Sequence, residues 1–243
     1  MGRRYALLGC ALALLGNALI ACATGADINA PATQANGPLA NNQATRVRLD
    51  IPADSYFANP EGRNILKYLV RCALDADTEA ELSLPGEKLT FAGGVGLAPE
   101  WLERALTLNE QRWVSACIFA LTNKLGKTVK VDLRAAHPKI GTDTEEEKLN
   151  YPLHEGGFFG NLFAPEPFGY VCEGANRKKL RDVPIGQLRL CAQPSGKTTP
   201  DGQPLSECGF IITGSCNSPA SFVVNGEHFD EVVHTWLPPE PLH

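Results

Sequence analysis

Apolar residues recur three and four apart in two stretches of the chain, and this spacing predicts two amphipathic helices. In the first, Ile65, Leu66, Leu69, Cys72 and Ala73 share one side. Asn59 suits the cap, Pro60 the first helical position and Glu61 the positive helix end, and the helix is expected to stop near Asp75. In the second, Trp113, Cys117, Ala120 and Leu121 form a stripe widened by Ile118 and Leu125. Thr107 and Glu110 supply a capping box in front of it, and Gly126 is its expected end. A shorter helix opened by Pro99 carries Trp101, Leu102 and Leu106.

A period of two marks other segments as strands. Leu82 and Leu84, then Pro85-Gly86-Glu87, then Leu89 and Phe91 read as a hairpin. Val129, Val131 and Leu133 alternate with Lys130, Asp132 and Arg134, as in a half-buried antiparallel strand. Between them, residues 93–96 read as a flexible glycine link; no Lys-Ser/Thr follows, so a phosphate-binding loop is not indicated. Beyond Ala135 the chain reads as loop-rich. Residues 142–148 are acidic and exposed, and residues 193–207 are a Pro/Gly/Ser/Thr loop. Short strands are expected at 170–172, 188–191 and 210–212. Phe222-Val223-Val224, then Asn225-Gly226, then the run from Glu227 make a hairpin, because Asn-Gly suits a type I′ turn. The expected fold class is α+β: a helical N-terminal half, with two disulfide-linked helices, packed on a small antiparallel sheet and followed by a loop-rich C-terminal half.

The amino terminus changes this picture by setting the compartment. Arg3 and Arg4 precede an apolar run over residues 5–20, suited to a signal-peptide core and too short and rich in small residues for a membrane span. The run ends in Leu19-Ile20-Ala21-Cys22, which resembles the lipobox read by lipoprotein signal peptidase. The resemblance implies cleavage before Cys22, acylation of its thiol, and a membrane partner reached through the lipid. Ala23 in place of an inner-membrane retention aspartate implies the outer membrane. Two other readings stay open: Cys10 as the lipidated residue, which leaves almost no apolar run, and conventional cleavage after Ala23, which frees a soluble protein. The expected organisation is a signal peptide at 1–21, a lipid-anchored flexible tether at 22–46 and one globular domain at 47–243.

Removing residues 1–21 takes away two arginines and no acid, which moves the formal charge from −5 to −7. The densest basic cluster, Arg177, Lys178, Lys179 and Arg181, is flanked by Glu173 and Asp182, so no nucleic-acid partner is expected. Six cysteines remain beyond Cys22, an even number that suits bridges in an oxidising compartment. Cys72 and Cys117 lie on the apolar faces of the two predicted helices, which makes them the first pair. Cys172 with Cys191 and Cys208 with Cys216 are the local pairings of the other four. No short Cys-x-x-Cys spacing points to zinc, and no metal or cofactor is expected.

Candidate chemistry is sparse. The segment from Tyr151 to Phe163 holds His154 beside Glu155, two glycines, Phe158, Phe159 and Asn161. His154 and Glu155 could be an acid/base pair, with Phe158, Phe159 and Asn161 lining a ligand site. The competing reading is a tight glycine turn whose phenylalanines plug the core. On the last strand, His228, Asp230, His234 and Trp236 would share one face. His137 reads as exposed. There is no Gly-x-Ser-x-Gly elbow and no His-Glu-x-x-His.

The run from Arg112 to Cys117 and the run from Glu155 to Phe163 together resemble a group of exported, cysteine-containing hypothetical proteins of predatory soil bacteria, over about residues 60–175. The resemblance implies an exported domain holding both segments and assigns no activity. The expected function is an envelope lipoprotein with a non-catalytic binding or structural role toward a cell-envelope protein or polymer. The alternative is an envelope hydrolase of cell-wall polymer, peptide or carbohydrate using His154 and Glu155.

Overall fold

A computed structural model describes Thr33–Gln34, Thr45–Leu49 and residues 59–125, 129–141, 144–216 and 221–239. The leader, Cys22, most of the tether and Gly126 lie outside the described residues.

Both predicted helices form. Helix α1 (Pro60–Ala73) starts on its proline and buries Leu66, Leu69, Val70, Cys72 and Ala73. The glycine-rich segment behind it is a cap, not a flexible link. The backbone N–H groups of Gly94, Val95, Leu97 and Ala98 donate to the carbonyls of Leu74, Arg71, Cys72 and Ala73, which satisfies groups a helix end leaves open. A side chain at Gly93 would meet the Asp75 carbonyl at 2.1 Å, so only glycine lets the backbones approach. Helix α2 (Leu108–Leu121) opens with the Thr107/Glu110 capping box and is buried from Arg112 to Ala120, so it is a core helix. It ends at Leu121, before Gly126, where Thr122 turns to extended backbone, and a buried arginine described below caps the carbonyls of Ala120 and Thr122.

The expected fold class is overturned by the sheets. Strands β1 (Thr33–Gln34), β2 (Thr45–Leu49), β3 (Thr78–Leu84) and β4 (Glu87–Ala92) form a four-stranded sheet in that order, with β2 parallel to β3. Its first strand and the start of its second fall within the stretch expected to be tether. A second sheet has seven strands: β5 (Asp132–Arg134), β6 (Leu153–Asn161), β7 (Phe168–Glu173), β8 (Pro194–Thr198), β9 (Pro204–Ser206), β10 (Ile211–Ser215) and β13 (Val233–Leu237). Its order is β5-β13-β6-β7-β10-β9-β8, and it is mixed, since β10 runs parallel to β7. The protein is therefore mixed α/β and mostly sheet, with its larger sheet built largely from the half that reads as loop. The reason is burial. All nine residues of β6 are buried, so the in–out alternation that marks a half-exposed strand is missing.

Further expectations are corrected in the same half. The acidic stretch ends in a capped helix, α3 (Glu145–Asn150), and the basic cluster forms α4 (Arg177–Arg181). Residues 188–191 are not a strand; they follow α5 (Pro184–Leu188). The Asn-Gly hairpin is present as β11 (Phe222–Val224) and β12 (Glu227–Phe229), with Asn225 and Gly226 at φ 52° and 81°. The Val232 N–H then bonds the Asp230 carbonyl, and the chain turns into β13 in a different sheet. His228 and Asp230 are thus exposed and do not share a strand face with His234 and Trp236. His137 is half-buried against the edge of the Trp113 ring.

Among the described residues, three disulfides close the fold. Cys72–Cys117 joins α1 to α2, as expected. The other pairs are Cys172–Cys216 and Cys191–Cys208, not the local pairings. Parallel pairing of β7 with β10 brings their C-terminal ends side by side, with Ser215 opposite Glu173, and this places Cys216 at Cys172. Among the described residues no helix is long and apolar enough to cross a membrane. The C72A/C117A variant should lose about 2–5 kcal/mol of stability in a denaturant titration, with a steeper slope because the unbridged unfolded chain exposes more surface.

Candidate functional site

Strand β6 lies between β13 and β7, and its residues face two environments. Glu155 is the extra residue of a β-bulge: Trp236 pairs with His154 while Thr235 pairs with Gly156. Its carboxylate is buried on the Thr235 face. Oε2 accepts from Thr235 Oγ1 at 2.7 Å and from Arg189 Nη2 and Nε at 3.0 and 3.2 Å. The same guanidinium donates to the carbonyls of Ala120 and Thr122 at 2.7 and 2.9 Å. Arg189 therefore closes the negative end of α2 and neutralises Glu155 in one contact. Both side chains are almost fully buried.

His154 turns to the opposite face. Along β13, Val233, Thr235 and Leu237 are buried while His234 and Trp236 are half-buried, so the two histidines meet on the more open side. His154 Nε2 lies 3.0 Å from His234 Nδ1. The Ala175 N–H faces His154 Nδ1 at 3.4 Å, which assigns the proton to Nε2 and makes His154 the donor. The His154 ring stacks on Trp236 at 4.6 Å, and the Arg134 guanidinium covers the indole's ring at 4.1 Å. Arg134 in turn bonds Asp132 at 2.7 Å. With a histidine and an arginine stacked on it, Trp236 is a buttress rather than a platform for a sugar. Burial, then His234 and Arg134, push the His154 imidazole down to about 4. Burial does the same to His234, also to about 4.

The Cys172–Cys216 disulfide completes this face. A Cβ at Gly157 would lie 2.7 Å from the His234 ring and 2.8 Å from Cys172 Sγ, so a glycine is needed to keep ring and bridge together. One ligand atom from each of His154, His234 and Cys216 lies within 4.8 Å of the others.

His154 and Glu155, neighbours in sequence, are thus not brought together: one lies on each side of the sheet. Phe158 and Phe159 are completely buried. Phe158 meets Phe210 edge-on, and Phe159 stacks on Phe222 at 4.7 Å. Asn161 is buried too, donating to Gln111 and accepting from the Phe163 N–H. Sequence reasoning missed the meeting of His154 with His234 and the part played by Arg189. The Gly156-Gly157 pair just beyond His154-Glu155, which leaves room for a ring from a neighbouring strand, was the available signal for the first. The chain itself matches no protein family, no curated protein and no solved structure. Fold and site define it as a disulfide-stapled mixed α/β protein with a paired-histidine face.

Two expectations follow. Glu155→Ala should cost about 3–5 kcal/mol by leaving Arg189 buried without its counter-charge, and Glu155→Gln should cost less; equal, negligible losses in a denaturant titration would contradict the ion-pair role. Unfolded histidine titrates near 6.5 and the folded pair near 4. Between those values the unfolded chain takes up protons that the folded chain refuses, so stability falls as pH drops from about 6.5 to about 4, by up to about 3 kcal/mol per histidine. The H154Q/H234Q variant should flatten that limb of the pH–stability curve relative to the parent.

Proposed function

We propose that the chain is an exported, lipid-anchored envelope protein with a binding rather than a catalytic role, and that its ligand face is the His154–His234 side of the seven-stranded sheet. The observation that carries the non-catalytic part is the capture of Glu155 by Arg189 and Thr235. A carboxylate held there cannot reach a substrate beside His154, so the hydrolase reading lacks the acid/base pair it needs. The three disulfides support export, since such bridges persist in oxidising compartments. The lipobox-like run ending at Cys22 supports the anchor. A cell-envelope protein or polymer is the partner this setting offers.

The test is labelling of cells with palmitate followed by fractionation. The parent chain should carry label and sediment with membranes, and the Cys22→Ser variant should do neither. Equal labelling and equal sedimentation of the two would overturn the lipid-anchored reading.

A further inference from the structure

We infer that His154, His234 and Cys216 form a redox-gated site for a borderline divalent cation of the Zn2+ type, shut while the Cys172–Cys216 bridge stands and opened when a dithiol reduces it. The inference takes from the preceding reading only the choice of the His154–His234 face; it does not depend on the anchor.

Imidazole nitrogen and thiolate sulfur are the ligand set such ions prefer. With Zn–N near 2.0–2.1 Å and Zn–S near 2.3 Å, a tetrahedral ion sets neighbouring nitrogens about 3.4 Å apart and a nitrogen and sulfur about 3.6 Å apart. The two histidine nitrogens already stand at 3.0 Å, and the three ligand atoms all fall within 4.8 Å. What the sulfur lacks is charge and freedom. In the bridge, Cys216 Sγ is neutral and bonded to Cys172 Sγ; as a thiolate it is a strong ligand free to turn about its own side chain. The frame does not need the bridge to hold its shape. His154 and His234 sit on the paired strands β6 and β13, and Cys216 directly follows β10, which is hydrogen-bonded to β7. The Cys216 N–H also donates to the Glu173 carbonyl.

Access is one-sided. Cys172 is completely buried, whereas Cys216 is half-buried, so Cys216 is the sulfur a reductant can reach. The exchange balances as thiol chemistry. One thiolate of the dithiol attacks Cys216 Sγ, and the Cys172–Cys216 bond breaks. The second sulfur of the dithiol then closes its own disulfide and releases Cys216. Two electrons and two protons pass from the dithiol to the two cysteines. On ligation Cys216 gives its proton to solvent, and the His154 proton moves from Nε2 to Nδ1, which gives up the 3.4 Å contact from the Ala175 N–H. Three protein ligands leave a fourth position on the half-open side of the sheet. Exchange with a disulfide oxidant, which takes up the two electrons and two protons and leaves as a dithiol, would re-form the bridge and expel the ion.

The experiment uses the full chain purified in detergent, with Co2+ alone as the probe. The Cys172→Ser variant frees Cys216 without touching the other two bridges. It should bind one Co2+ per chain with a thiolate-to-cobalt charge-transfer band, on the order of 100-fold more tightly than the oxidised parent. Band and affinity should be lost in C172S/C216S and in C172S/H234A. Equal affinity in parent and Cys172→Ser, absence of the band, or a band that survives in C172S/C216S would each overturn the inference. Should Cys172→Ser fail to fold, the parent decides: after mild dithiol treatment, Co2+ should slow alkylation of Cys216, and an unchanged rate would refute the site. None of these outcomes bears on palmitate labelling, so the two readings fail separately.

Discussion

The guanidinium of Arg189 is buried where three distant parts of the chain meet, and the arrangement of the larger sheet follows from how it is satisfied. Two of its donors close the carbonyl end of α2, and the others hold Glu155 of β6, which Thr235 of β13 also contacts. A charged group in the interior is tolerable only when paired and hydrogen-bonded, so these contacts must form together or not at all. They fix the end of the helix against the bulge in the central strand. With Glu155 claimed on one side, His154 must point to the other, and there it meets His234.

The histidine face inherits its properties from that placement. It is backed by a strand buried along its whole length and is covered only in part, which leaves two imidazoles desolvated but not sealed. Arg134 stacks on Trp236, and Trp236 on His154, so the rings are held by contacts on the sheet rather than by a loop. Gly157 removes the one side chain that would separate His234 from the neighbouring disulfide. The helix side is fastened differently. There, Arg112 of α2 lies over Phe229 at 4.7 Å and donates to the His228 carbonyl, tying the C-terminal hairpin to the core helix.

Much of the first half was legible in the residues alone. Helical spacing, the caps at Pro60 and Thr107 and the Pro-Gly turn after Leu84 act over a few residues, and local interactions of that kind were enough. The Cys72–Cys117 bridge was readable because both cysteines lay on apolar helical stripes. The segment around His154 was not readable in this way. Its glycines suit a turn as well as a crowded strand, and only the neighbours that crowd them, Cys172 and His234, distinguish the two. The pairing of Cys172 with Cys216 likewise needed the parallel register of β7 and β10, a contact between segments about forty residues apart that no spacing rule encodes.

Sequence alone determined the elements whose reasons are local: the helices, their starts, two hairpins, and the presence of enough cysteines for an oxidised fold. Tertiary structure decided which strands became neighbours, which cysteines met, and that His154 would find His234 rather than Glu155. The physical reason is that a fully buried strand carries no alternation to announce itself, and its partners are chosen by the burial of groups far away in the chain.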